Sequence, residues 1–494
     1  MMRSVVVAYL FGLLLLIGGM MYSVWGLEGF REHIALVGPL FGVLGLGTVL
    51  VNPLLMLSLV FTYFPFSWGG PSVELGIVTF NPYSLGLLFF AFVGLLRFVL
   101  RRVQLPLSFT DLLLMGVSAV YLLGTLRSAD VADSGFLAYN FIFLPVLSFY
   151  IIRLLIDDQA EYRTLTRFMI VGLVVFAGMA VASWAQTGMR ATPLDTPPIG
   201  TATLMVFAIC LIMGSDSVPK GFRTGLALFC LLAMFLTFSR VFLVILAVAP
   251  LCHVLIRKGK SVTLYLGFFI ATLLLTLALL LYAHYVQPDR TIFTPEERRT
   301  EERLTSVENW KKSIYGRVSQ FSAGLNSFLQ RPFLGVGLYR GEQVITQHNF
   351  HVEWLEYSGV IGYMFYMLFI LSHAARMTDL ARTDGPIRWQ MLLILLVLNN
   401  CLFNGIMHGY MPHVIFISMG LNEARAAFLR RQAEQGLDAE PAQQGKNGTP
   451  DSAATGKGDE PAAPQDRTPG HSTPERLVIV KESGSSLYNR YFRS

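Results

Sequence analysis

Three places in this 494-residue sequence combine residue types suited to chemistry on anionic or hydroxyl groups, and each stands at the margin of an apolar run. The first is Ser239-Arg240, which interrupts the apolar stretch between residues 222 and 256. A guanidinium offers anionic oxygens a fixed fork of N–H donors. At membrane depth it costs about 2.5–3.5 kcal/mol on insertion scales, so it belongs at a turn near the surface. There it either contacts an anion or snorkels and ends the helix. The second is Arg317, in a polar stretch that also holds Arg331 and Arg340, where a solvated arginine is the ordinary reading. The third is Gln347-His348-Asn349, where that polar stretch gives way to an apolar run. An imidazole with an unperturbed pKa of about 6.5 can orient or deprotonate a hydroxyl. It can equally cap the span that starts near Phe350, and Asn349 can orient the ring or cap the helix.

His351, Glu353 and Glu356 follow on the same helix, the spacing of three placing His348 with His351 and Glu353 with Glu356 on shared faces. Completed by His408 and His413, these could be metal ligands by type, but the set has no recognised spacing, and no metal site is assigned. Glu356, inside a span, is read as the partner of an arginine, which would offset its insertion cost.

The elements that must position these residues are membrane helices. Hydrophobic residues make up 53% of the chain and charged residues 14%, against roughly 25% charged in soluble domains. The apolar residues gather in runs close to the roughly 20 needed to cross a bilayer, and backbone in lipid must bond internally. The fold class is therefore all-α and polytopic. About fourteen transmembrane helices are expected, with twelve as the alternative, near residues 4–23, 33–49, 51–65, 82–100, 108–126, 136–156, 166–186, 200–214, 222–238, 240–256, 261–285, 350–373, 388–406 and 408–424. Asn52-Pro53 divides the second from the third, because proline removes a helix hydrogen bond and asparagine favours a turn. Arg3 before an apolar run could mark a secretory signal, but no small-residue cleavage site follows, and the run is read as the first span.

With the N-terminus inside, the inner segments hold 18 Lys and Arg, among them Arg153, Arg376 and Arg425, and the short outer ones hold 4: Arg31, Arg127, Arg190 and Arg240. This asymmetry puts residues 286–349 in one large outer loop and both termini in the cytoplasm. The net charge of +6 is explained by the same short loops, so no nucleic acid is implied. Cys210, Cys230, Cys252 and Cys401 all fall in apolar runs without a close pair, which indicates neither a disulfide framework nor a zinc site. The domains read as a membrane domain, residues 1–431, and a disordered cytoplasmic tail, residues 432–494, too poor in branched apolar residues to bury a core. The tail's end, residues 476–494, is either a solvated terminus or a docking motif for a cytoplasmic partner or the membrane surface.

Within the loop, the order Arg317, then Pro332, Gly335 and Gly337, then His348-Asn349, then Gly359 and Gly362 resembles the O-antigen ligase and polymerase family, and Ser239-Arg240 resembles a Ser-Arg that this family carries at the outer end of a span. Phe321 stands where the family often has Trp, and His351 is an additional histidine. The resemblance implies a fold like that of GT-C type glycosyltransferases and an enzyme of the bacterial inner membrane. It would move a glycan from a polyprenyl diphosphate carrier to a hydroxyl on a glycan, lipid A-core or protein acceptor, in O-antigen or exopolysaccharide polymerisation or ligation, with neither metal nor other cofactor. Arg240 and Arg317 would then bind the diphosphate and His348 would serve the acceptor, supported by Asn349, Glu356 and Ser239. A transporter of lipid-linked glycans, or a scaffold within an export complex, is the alternative from another class. Transporters usually show related halves and mid-span charges, and neither is visible. The glycines are expected to serve the backbone, Gly335 and Gly337 in a tight turn, Gly359 and Gly362 in close helix packing.

Overall fold

The computed structural model describes residues 52–70, 73–75, 78–101, 108–128, 130–286, 321, 323–337, 349–400 and 410–444. The expected spans at 4–23 and 33–49 lie outside the described residues. At each of the later expected spans there is a helix: α1 Pro53–Tyr63, α2 Pro82–Arg101, α3 Phe109–Leu126, α4 Val131–Ala138 leading into α5 Leu144–Leu155, α6 Gln159–Thr187, α7 Pro198–Gly214, α8 Lys220–Phe235, α9 Arg240–Arg257, α10 Ser261–Val286, α11 Phe350–Thr383, α12 Gly385–Asn400 and α13 Met411–Gln444. Residues 109–126, 134–155, 159–187 and 351–383 are long and apolar enough to cross a membrane, and shorter apolar helices accompany them. This is a helical membrane protein. The chain divides into the units Met1–Gly436 and Leu437–Ser494, and α13 runs past residue 431, where the sequence predicts the tail to begin.

Local chemistry sets the helix ends. Pro53 opens α1 with the Asn52 side chain accepting from Leu54 N at 2.7 Å, so this pair starts a helix where the sequence predicts a division. Asp158 caps α6, and Gly188 ends it with φ +62°. One departure from an all-helical chain is a short antiparallel ribbon, Val73–Leu75 paired with Val78–Phe80 in the register Val73 to Phe80. The alternation of apolar and polar residues over so few positions is too short to register as a strand against the surrounding spans.

The long span at 134–155 is not uniform. Residues 139–143 form a π turn in which Leu144 N–H donates to Tyr139 O, and Pro145 brings no N–H to follow it. The carbonyl of Asn140 thereby remains free for another donor, and His413 Nε2 on α13 donates to it at 2.9 Å. A carbonyl only accepts, so Nε2 carries the proton and Nδ1 accepts from Tyr83 O–H at 3.2 Å.

The core lies between helices. α3 runs along α11, α1 along α6, α7 against α8 and α12, and both α9 and α10 pack on α11 and α12. Buried charges gather at the start of α3. Ser108 and Asp111 form a capping box, and the second oxygen of Asp111 accepts from Arg153 Nη1 at 2.5 Å and from Tyr150 O–H at 3.1 Å. Arg376 of α11 donates to Ser108 Oγ at 3.0 Å and to Glu423 Oε2 of α13 at 2.9 Å. Arg425 bridges Asp384 at 2.8 Å and Asp216 at 2.9 Å. Three of the cations that set the predicted orientation are thus structural, because a charge withdrawn from water needs a partner.

Candidate functional site

Gly359 breaks α11. Its φ of +65° and ψ of −171° lie in a region essentially reserved for glycine, so residues 350–358 form a separate half-helix. Such a break exposes two carbonyls below it and two N–H groups above it, none of which can stay unbonded in an apolar interior. The segment Pro332–Gly337 supplies all four partners. Val336 N donates to Glu356 O at 2.8 Å and Gly337 N to Tyr357 O at 3.2 Å. In return Val360 N donates to Pro332 O at 2.8 Å and Ile361 N to Phe333 O at 3.2 Å.

Backbone can approach backbone this closely only where Cβ is absent. A Cβ on Gly359 would stand 2.3 Å from the carbonyl of Phe333, and one on Gly335, whose φ is +67°, 2.4 Å from the carbonyl carbon of Tyr357. Gly337, with φ +89°, lies against α3, its added Cβ falling 2.6 Å from Gly124 O. The Pro-x-x-Gly-x-Gly segment does form a tight turn, as the sequence predicts. For Gly359 the expected close packing of helices is corrected to a helix break. Gly362 fits the packing expectation, since a Cβ there would meet Val120 Cγ1 of α3 at 2.9 Å.

Side chains hold the half-helix from both ends and from beneath. Asn349, buried with extended backbone, accepts at Oδ1 from His351 N at 3.0 Å and Val352 N at 3.2 Å, and so caps the helix. His351 reaches across the break, its Nδ1 hydrogen-bonded to Tyr363 O–H. Trp354 stacks on Tyr366 at 4.0 Å between ring centres and meets Tyr121 of α3 edge-on at 4.9 Å. Glu353 and Glu356 are both buried on this half-helix. Of the candidate ligands considered for a metal, His413 is bonded at both ring nitrogens as described, and His408 lies outside the described residues.

Ser239 occupies a second helix start. It is buried at the N-cap of α9, with φ −86° and ψ 120°, and Arg240 is the first residue of that helix. The turn between α8 and α9 is held from outside, Arg190 Nε donating to Thr237 O at 2.8 Å and Ala191 N to Leu236 O at 2.8 Å. Phe238 there has φ +48°, a left-handed conformation that costs a non-glycine residue on the order of 1–3 kcal/mol. Arg190, counted in the sequence only as an outer cation, is one clamp that holds this strain. Neither Phe238 nor Arg190 carries a signal in the sequence. The side chain of Arg240, and Arg317 and His348 altogether, lie outside the described residues.

Two predicted site residues, Asn349 and Glu356, thus share one half-helix, and Ser239 stands on α9, which packs against α11. The backbone carbonyls of Pro332, Phe333, Glu356 and Tyr357 are what residue-type reasoning misses. Gly359 within an apolar run, soon after a Pro-x-x-Gly-x-Gly, is the signal that could have found them. Comparison with known proteins returns no match among the curated ones. A family model described as O-Antigen ligase matches residues 225–370, a segment that runs from within α8 through the Ser-Arg turn, the glycine segment and the broken helix. Residues 225–370 of this helical membrane protein are thus similar to the O-antigen ligase family, which supports a role in the assembly of surface polysaccharide.

Proposed function

We propose that this protein is a glycosyltransferase that moves a glycan from a polyprenyl diphosphate carrier to an acceptor hydroxyl at the periplasmic face of the bacterial inner membrane. In the reaction the acceptor oxygen bonds to the anomeric carbon while its proton passes to His348. The bond from that carbon to the phosphate oxygen breaks, and its electron pair leaves on the diphosphate. Arg240 and Arg317 bind the diphosphate and stabilise that charge. Asn349 fixes the backbone beside His348, Glu356 pairs with an arginine, and Ser239 sets the start of the helix that Arg240 opens. The match over residues 225–370 carries this reading, because it contains every one of these positions in one segment.

Transporters also break helices, using the unwound backbone to coordinate cargo. At Gly359 the carbonyls of residues 356 and 357 and the N–H groups of 360 and 361 are already bonded to residues 332–337, which favours a fixed site over a moving gate.

In cells, His348→Ala and Arg240→Ala are expected to leave protein levels normal and to abolish extension or attachment of surface polysaccharide. The purified protein in detergent should transfer glycan from a defined lipid-linked donor, and His348→Ala should slow this by about 10²–10⁴-fold. Normal glycan in both variants, or no product without sealed vesicles, would defeat the proposal.

A further inference from the structure

The cleft between α9, α10 and α12 lies away from the glycine segment and takes no part in the proposed transfer. It encloses about 480 Å³, and Val248, Cys252, Leu264, Phe268, Leu395 and Leu396 make its walls mainly apolar. The α10 wall is fixed to α12 by Tyr265 O–H, which donates to Met391 O at 2.5 Å. Gly267 leaves the cleft open, since a Cβ there would meet nothing within 4 Å. Lys260 lines one end, and Arg257 and Lys258 lie exposed in the same turn.

We propose that this cleft holds an acyl chain of an anionic phospholipid whose headgroup meets Arg257, Lys258 and Lys260. Two independent features select this occupant. The first is length: from Lys260 to Ala271, the farthest lining residue along α10, a helix rises about 17 Å, roughly half of a 30 Å hydrocarbon core. A chain entering at the cationic end therefore ends near mid-membrane, within one leaflet. The second is charge: Lys260 at the mouth, with Arg257 and Lys258 exposed in the same turn, favours an anionic headgroup, by about fivefold in affinity for each cation that the headgroup meets. A lipid resting on a convex helix surface has neither feature, because it is touched on one side only.

The test is native mass spectrometry of the full-length protein, delipidated in detergent and offered equimolar phosphatidylglycerol and phosphatidylcholine with identical acyl chains. The wild type should retain phosphatidylglycerol preferentially. Lys260→Ala should lower that retention about fivefold and leave phosphatidylcholine unchanged. Gly267→Leu, which fills the cleft without meeting protein atoms at Cβ, should lower both. Equal retention of the two lipids by wild type overturns the proposal, as does undiminished phosphatidylglycerol in Gly267→Leu. Displacement of phosphatidylglycerol by equimolar polyprenyl phosphate would assign the cleft to the carrier and overturn it as well. Lipid retention is read without any glycan, so its outcome is separate from that of the transfer reaction.

Discussion

Where α3 begins, its neighbours reach it through charged side chains: Asp111 takes Arg153, and Ser108 takes Arg376, which Glu423 of α13 also holds. Fifteen residues after Phe109, about 22 Å along the same helix, Gly124 meets Gly337 with no side chain on either, and the segment that carries Gly337 is bonded to α11 through four backbone hydrogen bonds. Both ends solve the problem of polar groups in an apolar interior. The charged end uses long side chains whose partners can be exchanged together, while the glycine end uses fixed main chain that admits no Cβ at Gly335, Gly337 or Gly359. Joining the half-helix 350–358 by its backbone fixes its main chain without a side-chain ion pair from that segment, and that is the end where the proposed chemistry lies.

The largest effect is expected from Gly359→Ala. It combines a backbone conformation reserved for glycine with overlap on Phe333, a loss on the order of 5 kcal/mol. Folded protein recovered by size-exclusion chromatography should fall severely. Gly124→Ala is the matched control, because its Cβ would sit at ordinary contact, 3.6 Å from Gly337 Cα, and should change stability by no more than about 0.5 kcal/mol. If both glycines tolerate alanine equally, the backbone lock is not what holds this end.

At the charged end, Asp111→Ala strands the buried guanidinium of Arg153. Breaking such a pair costs about 3–5 kcal/mol, and the lower figure is expected here because Phe149 and Tyr150 face the cation at 5.1 and 5.7 Å. The double replacement Asp111→Leu with Arg153→Met should recover most of that loss in a thermal challenge in detergent. No recovery would show that the charges specify the packing rather than merely neutralise one another.

The contrast also explains what could be read from the sequence. Helix positions from residue 53 onward follow apolar run length, which the bilayer dictates, so the later spans are matched by helices. Arg153, Arg376 and Arg425 were legible as cations of one set of loops but not as buried partners, because their carboxylates come from distant helices. Glycine spacing pointed to backbone proximity at residues 335 and 337, yet Gly359 looked like any packing glycine in a membrane helix. Its role rests on hydrogen bonds to Pro332 and Phe333, whose carbonyls have no residue identity to read. Asn349 was legible by type, because asparagine before an apolar run is a frequent cap.

A smaller loss of stability than at either end tests how the cap serves the site. Asn349→Ala removes the acceptor for His351 N and Val352 N and should cost about 1 kcal/mol, visible as a small drop in melting temperature. On the proposed role of His348, glycan transfer should fall much further, because the residue next to it in the sequence loses its hold on the helix start. Asn349→Ser keeps a capping oxygen and should restore both. Should serine rescue the melting temperature and leave transfer impaired, the Asn349 amide would have to act on His348 or the substrate directly, and the half-helix would be more than the frame that the comparison of the two ends makes it.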